Sequence, residues 1–117
     1  MKYEELMPIF EQRFPQLSSG LPDYYDEPYI LYGQVLNPYV KELLLNGTDT
    51  KSIEDIFAFY EELAISEDEE VNNLLQVELL EALWSPKELF EKARAHMLPE
   101  TRKFSDAIGA YFLPPAE

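Results

Sequence analysis

Residues 51 to 84, KSIEDIFAFYEELAISEDEEVNNLLQVELLEALW, restrict the fold more than any other stretch of the chain. Apolar residues recur there every three or four positions, and no run alternates with period two. Two helix starts are signalled inside it. Ser52 with Asp55, and Ser66 with Glu69, match the capping-box spacing, in which a hydroxyl and a carboxylate satisfy amides that have no partner in the helix. The spacing predicts two consecutive helices joined by one acidic corner. In the first, Ile53, Ile56, Phe57, Tyr60, Leu63 and Ala64 form a single apolar stripe that leaves Glu54, Asp55, Glu61 and Glu62 off it. In the second, Val71, Leu75, Leu79, Ala82 and Leu83 form one arc, and Val77, Leu80 and Trp84 form another. A helix apolar on two sides sits in the middle of a domain. Residues 70 to 84 are therefore the expected central element.

Glu78 and Glu81 complicate that element. At about 100° per residue they fall beside Leu74, between the two arcs. Buried charges are paired as a rule, so a neighbouring helix is expected to answer them, with Arg94, Arg102 or Lys103 as the candidates. The alternatives are simple exposure and a carboxylate pair for acid/base or metal chemistry.

The rest of the chain reads as further helices. Tyr3, Leu6, Met7, Phe10 and Phe14 give a short amphipathic helix starting near Pro8, a first-turn position where a missing amide is harmless. Residues 15 to 28, PQLSSGLPDYYDEP, carry three prolines, a glycine and two serines and read as a loop. A helix follows from about Pro28 toward Leu45, with Tyr29, Tyr32, Val35, Leu36, Tyr39, Val40, Leu43 and Leu44 on its apolar face. Gly33 and Pro38 interrupt it, which predicts a kink or two short helices meeting near Asn37. Asn46 and Gly47 close it. Ser85 as cap, Pro86 at the first position and Glu88 at the third open another helix, whose buried face is Leu89, Phe90, Ala93, Met97 and Leu98. Pro99 begins the last, with Thr101, Phe104, Ala107, Ile108, Tyr111 and Phe112 at core spacing and Gly109 as a point of close approach. Residues 113 to 117, after the last helix, are expected to fray. The expected fold is all-α, a single-domain bundle of about six helices spanning 1–117; consecutive helix pairs of unequal length also permit stacked helical hairpins.

Composition narrows the function. With 117 residues and 46% hydrophobic content the chain can close one core, and with no cysteine it has neither disulfide, thiolate metal site nor cysteine nucleophile. No run reaches membrane-spanning length, and acids and a proline occupy the place of a signal sequence, so a cytoplasmic location is expected. The formal net charge is −14, from 23 acidic and 9 basic residues. Such a chain repels phosphates and anionic lipid, so nucleic acid and membrane are not expected partners. A basic protein is. Residues 54 to 81 hold ten acids and no Lys or Arg, whereas 87 to 103 hold five of the nine bases, a lopsided field suited to steering. Acidity for solubility alone is the plainer alternative.

Phosphate loops, paired-histidine zinc helices, calcium loops and nucleophile elbows are all missing. His96 is the lone histidine and is read as structural, in the last turn of its helix. No enzyme activity, catalytic residue, metal or cofactor is expected. The candidate binding residues are instead Asp23, Tyr24, Tyr25, Asp26 and Glu27 in the loop, where tyrosines between carboxylates suit a partner's Lys or Arg, and Glu67, Asp68, Glu69 and Glu70 at the corner. For the tyrosines, rings tucked into the core are the alternative.

The run SIEDIFAFYEELAISEDEEVNNLLQVELLEALW followed by MLPETRKFSDAI resembles small, acidic, helical bacterial immunity proteins of polymorphic or contact-dependent toxin systems. The likeness covers roughly the last 65 residues and lies in an aromatic-rich helix ending in Glu-Glu-Leu, an acidic turn, an Asn-rich helix start and a Pro-Glu-Thr-Arg helix start. It implies a stoichiometric antitoxin whose acidic face occludes the active site of a basic toxin, often a nuclease. A phosphate-mimicking regulator or adaptor of DNA-handling proteins is the competing expectation, and a helical domain of other function the third.

Overall fold

The computed structural model describes residues 1–112, with side chains as far as Gly109. The expected tail at 113–117 lies outside the described residues, as do the side chains of Tyr111 and Phe112. Every regular element among the described residues is helical. After a 3-10 turn at Tyr3–Glu5 come α1 (Leu6–Arg13) and the single turn α2 (Pro15–Ser18). Residues 28–46 run on as one rod, α3, made of Pro28–Leu31, a π-turned stretch Tyr32–Leu36 and Asn37–Asn46. Helix α4 is Thr50–Ala64, and α5 covers residues 69–83 as Glu69–Leu74, a second π-turned stretch Leu75–Leu80, and a 3-10 end Glu81–Leu83. Helices α6 (Lys87–His96) and α7 (Pro99–Phe112) complete an all-α bundle, and no helix among the described residues is long and apolar enough to cross a membrane.

Helix α5 is the central element. It packs on α3, α4, α6 and α7, and Val71, Leu74, Leu75, Leu79, Leu80 and Leu83 are all fully buried. Val77 departs from expectation: it is 40% exposed. A π-turn advances each residue by less than the roughly 100° of an α-helix. The widened turn therefore gathers Leu75, Leu79 and Leu80 to one side and rotates Val77 out to water. Two arcs become one.

In α3 a second π-turn replaces the expected break near Asn37. Pro38 brings no N–H, and the Asn37 amide reaches back five residues to the Tyr32 carbonyl, so the rod absorbs the proline by widening instead of splitting. It ends where predicted, at Gly47 with φ 69°, whose amide bonds the Leu43 carbonyl at 2.8 Å.

The helix starts needed correction. Asp49, not Ser52, caps α4, accepting the Ser52 amide at 3.1 Å and the Ser52 hydroxyl at 2.8 Å. Asp68, not Ser66, caps α5; the Ser66 hydroxyl accepts the Asp68 amide and donates to the Met1 carbonyl. Ser85 caps nothing, because α6 begins after Pro86 and without a side-chain cap. Helix α1 starts at Leu6, two residues before Pro8, and the expected loop is shortened at its front by α2, which Pro15 opens. Leu98 is exposed because α6 ends at His96 and leaves it in the connection to α7, and Ala107 is exposed as well. Between α4 and α5, the Asn72 side chain donates to the carbonyls of Leu63, Ala64 and Ser66 and so closes the C-terminal end of α4.

Candidate functional site

The acidic corner meets the start of α3, just after the last residue of the predicted loop cluster. Pro28 starts α3 directly after Glu27, which places Tyr29 in the first turn of α3, opposite the first turns of α5. The Tyr29 hydroxyl donates to Glu70 Oε2 at 2.9 Å and accepts from Asn73 Nδ2 at 2.8 Å. Tyr3 packs its ring against that of Tyr29, with centroids 5.9 Å apart, and its amide donates to Asp68 Oδ2 at 2.8 Å. Glu27, Asp68 and Glu70 thus gather round a pair of half-buried tyrosines.

Electrostatics report the same neighbourhood. Burial raises the Tyr3 phenol first, and the charges of Glu27 and Glu70 push it further. Burial likewise raises Tyr29, with Glu70 and Glu78 adding to it and the Asn73 bond opposing. A phenolate is disfavoured beside carboxylates, so both tyrosines stay neutral and present a hydroxyl and a ring face among negative charges.

The other predicted residues divide. Asp68 uses both oxygens internally, one on the Tyr3 amide and one on the Glu70 amide at 3.0 Å, so its place is structural. Glu67 lines a separate cleft with Met1, Lys2, Glu62 and Ile65, and Glu69 is exposed in the first turn of α5. Tyr24 is 64% exposed and packs its ring at a tilt against that of Tyr25, centroids 4.6 Å apart. Tyr25 itself is half-buried, and with Asp23 and Asp26 it borders a hollow against Met7, Phe10 and Leu31. The expectation that the rings tuck inward holds for Tyr25 and fails for Tyr24. Tyr3, Tyr29 and Asn73 are the surface residues that helical spacing concealed, since both tyrosines sit at core-compatible positions.

Glu78 and Glu81 lie one turn further along α5, both partly buried. None of the expected bases reaches them. Arg94 pairs with Asp106 at 3.2 Å, Lys103 with Glu100 at 3.0 Å, and Arg102 donates to the Arg94 carbonyl. Burial, and then the charge of Glu81, raises the Glu78 carboxyl. Among the described residues, no group of three or more His, Asp or Glu is arranged to hold a metal ion. His96 stands in the last turn of α6 and stacks on Phe57, centroids 6.0 Å apart.

The fold and this surface define a class: an all-helical domain with a carboxylate-rich, tyrosine-bearing end. The chain belongs to the family described as Domain of unknown function (DUF7674), which matches residues 7–111. No curated protein and no solved structure matches it.

Proposed function

We propose that this chain is an acidic protein-binding module, an immunity or antitoxin protein that neutralises a basic toxin by covering its active site. It performs no chemistry of its own. The observation that carries the reading is the convergence of Glu70 and Asp68 on Tyr29 and Tyr3, beside Glu27, from segments more than 40 residues apart in the chain. Tyrosine gives broad contact at low entropic cost, and flanking carboxylates select Lys or Arg and speed encounter. The acidic corner and the rest of α5 extend the same sign of charge, since Glu67, Glu69, Glu78 and Glu81 form no ion pair among the described residues. A toxin that cleaves nucleic acid fits this best, because carboxylates can stand where its groove expects phosphates.

The test is an affinity capture of the tagged chain from its own organism at about 0.1 M and about 0.5 M salt, followed by the Glu27→Lys/Glu70→Lys variant on whatever is recovered. One basic protein at near one-to-one stoichiometry, inhibited by the wild type and released at least tenfold faster by the variant, is the expected result. Many DNA-handling proteins lost together at the higher salt would favour a phosphate mimic instead. Recovery unaffected by the double charge reversal would remove this face from the reading.

A further inference from the structure

The two π-turned stretches, Tyr32–Leu36 of α3 and Leu75–Leu80 of α5, pack against each other. Within α3 the amide of Asn37 is taken by the Tyr32 carbonyl, and Pro38 has no N–H. The Gly33 carbonyl is thereby left without a donor from the following turn in either the four- or the five-residue register. Against Gly33, in the space a side chain would fill, lies the carboxyl group of Glu78, its Cδ 3.0 Å from where a Cβ would stand. The Glu78 carboxyl, which takes no hydrogen bond from a protein donor, thus lies against the residue whose carbonyl lacks one.

We propose that Glu78 is a proton-operated latch between α3 and α5. Protonated, its O–H donates to the free carbonyl of the Gly33 turn and holds the helices together. Ionised, it can no longer donate, its charge is drawn toward water, and the seam loosens.

Apart from water at its exposed edge, the surroundings offer no other answer to the charge. On α3 no Asp, Glu, Lys or Arg occurs before Lys41; Tyr29 is bonded to Glu70 and Asn73, and the Tyr32 hydroxyl donates to the Leu6 carbonyl. On α5 itself the neighbour is Glu81, a like charge. On α7 Arg102, Lys103 and Asp106 are engaged elsewhere, and on α4 Glu61 is held by α7. The raised Glu78 carboxyl fixes the sign. The folded state holds this proton more tightly than the unfolded chain, so the latch is fully closed below the ordinary value of 4.5 and opens as pH rises through the folded value.

Thermal unfolding of the full chain, wild type against Glu78→Gln, tests this between about pH 4 and about pH 8. Glutamine keeps a donor at every pH, so the two proteins should melt together at the acid end and the variant should melt several degrees higher at the alkaline end. Gly33→Ala should expel the carboxylate into water and erase the same pH-dependent difference. Carboxyl NMR of wild-type Glu78 should show titration above 4.5. A gap between wild type and Glu78→Gln that does not change with pH, or a Glu78 carboxyl titrating at or below its ordinary value, would overturn the latch.

Discussion

At the N-terminus of α7 the first amides have no helical partner, and Glu61 of α4 reaches across to take them. Its carboxylate accepts the amides of Glu100 and Thr101 and the Thr101 hydroxyl, each at 2.9 Å. A negative group at a helix N-terminus also answers the helix dipole. Burial pushes the Glu61 carboxyl up, but these three bonds and nearby Lys103 outweigh it, and the group sits below its ordinary value. Glu61→Ala should lower stability by about 1 to 2 kcal/mol, the range for losing a helix cap, measured by urea unfolding at neutral pH. The sign with pH is opposite to that of Glu78. A depressed carboxyl contributes stability above its unfolded value and loses it as pH falls through the folded one, so the gap between wild type and Glu61→Ala should close in acid. A gap that persists unchanged below about pH 3 would mean that Glu61 acts by packing and not as a charged cap.

Glycines at two helix crossings make different demands on the elements around them. At Gly33 the neighbour is the end of a flexible glutamate, which can swing away. At Gly109 of α7 the neighbour is the Trp84 ring, whose Cη2 lies 2.6 Å from where a Cβ would stand, and that ring is stacked on Phe90 with centroids 3.9 Å apart. It cannot move without breaking the stack. Gly109→Ala should therefore cost about 1 to 3 kcal/mol, despite alanine's better helix propensity, and smaller residues at 84 should recover part of the loss in a double-mutant cycle. Additive effects of the two changes would show that the crossing is not what requires glycine. Much at this scale was legible in the sequence: the stripe of α4, the closing Gly47 and the central place of α5 follow from spacing and turn chemistry alone. The π-turns were not, because a helix is read at a fixed period and a single widened turn shifts every later residue, which is why Val77 was assigned inward. Nor was the Glu61 cap, which joins residues 39 and 40 positions apart. The candidate site was half legible. Glu27 and Glu70 stand out as charges beside turns, whereas Tyr3 and Tyr29 share the spacing of core residues, and only the meeting of α3 with α5 puts them at a surface.

Across the whole molecule, attraction and repulsion between charges are unevenly spread. Six ion pairs among the described residues engage Arg13, Lys51, Lys87, Lys92, Arg94 and Lys103, all with partly or largely exposed side chains. Exposed pairs contribute about 0 to 1 kcal/mol apiece, and those spaced along one helix about 0.3 to 0.5. Against them stands a net charge of −14, with ten acids and no Lys or Arg between residues 54 and 81. Self-repulsion of that size opposes the compact state and is long-ranged, so salt screens it before it screens contacts at 3 to 4 Å. The melting temperature should accordingly rise by several degrees between about 0.01 M and about 0.5 M sodium chloride at neutral pH, in contrast to a protein whose ion pairs dominate. Glu67→Gln/Glu69→Gln, which removes two exposed acids and no ion pair, should raise the low-salt melting temperature and shrink the salt-dependent rise. If melting temperature fell with salt, the six pairs would outweigh the repulsion, and the acidic end would be stable as it stands. If it rises as argued, the charge is held at a cost to the fold that a basic partner of the kind proposed above would relieve, and the same salt that stabilises the free chain should weaken such a complex.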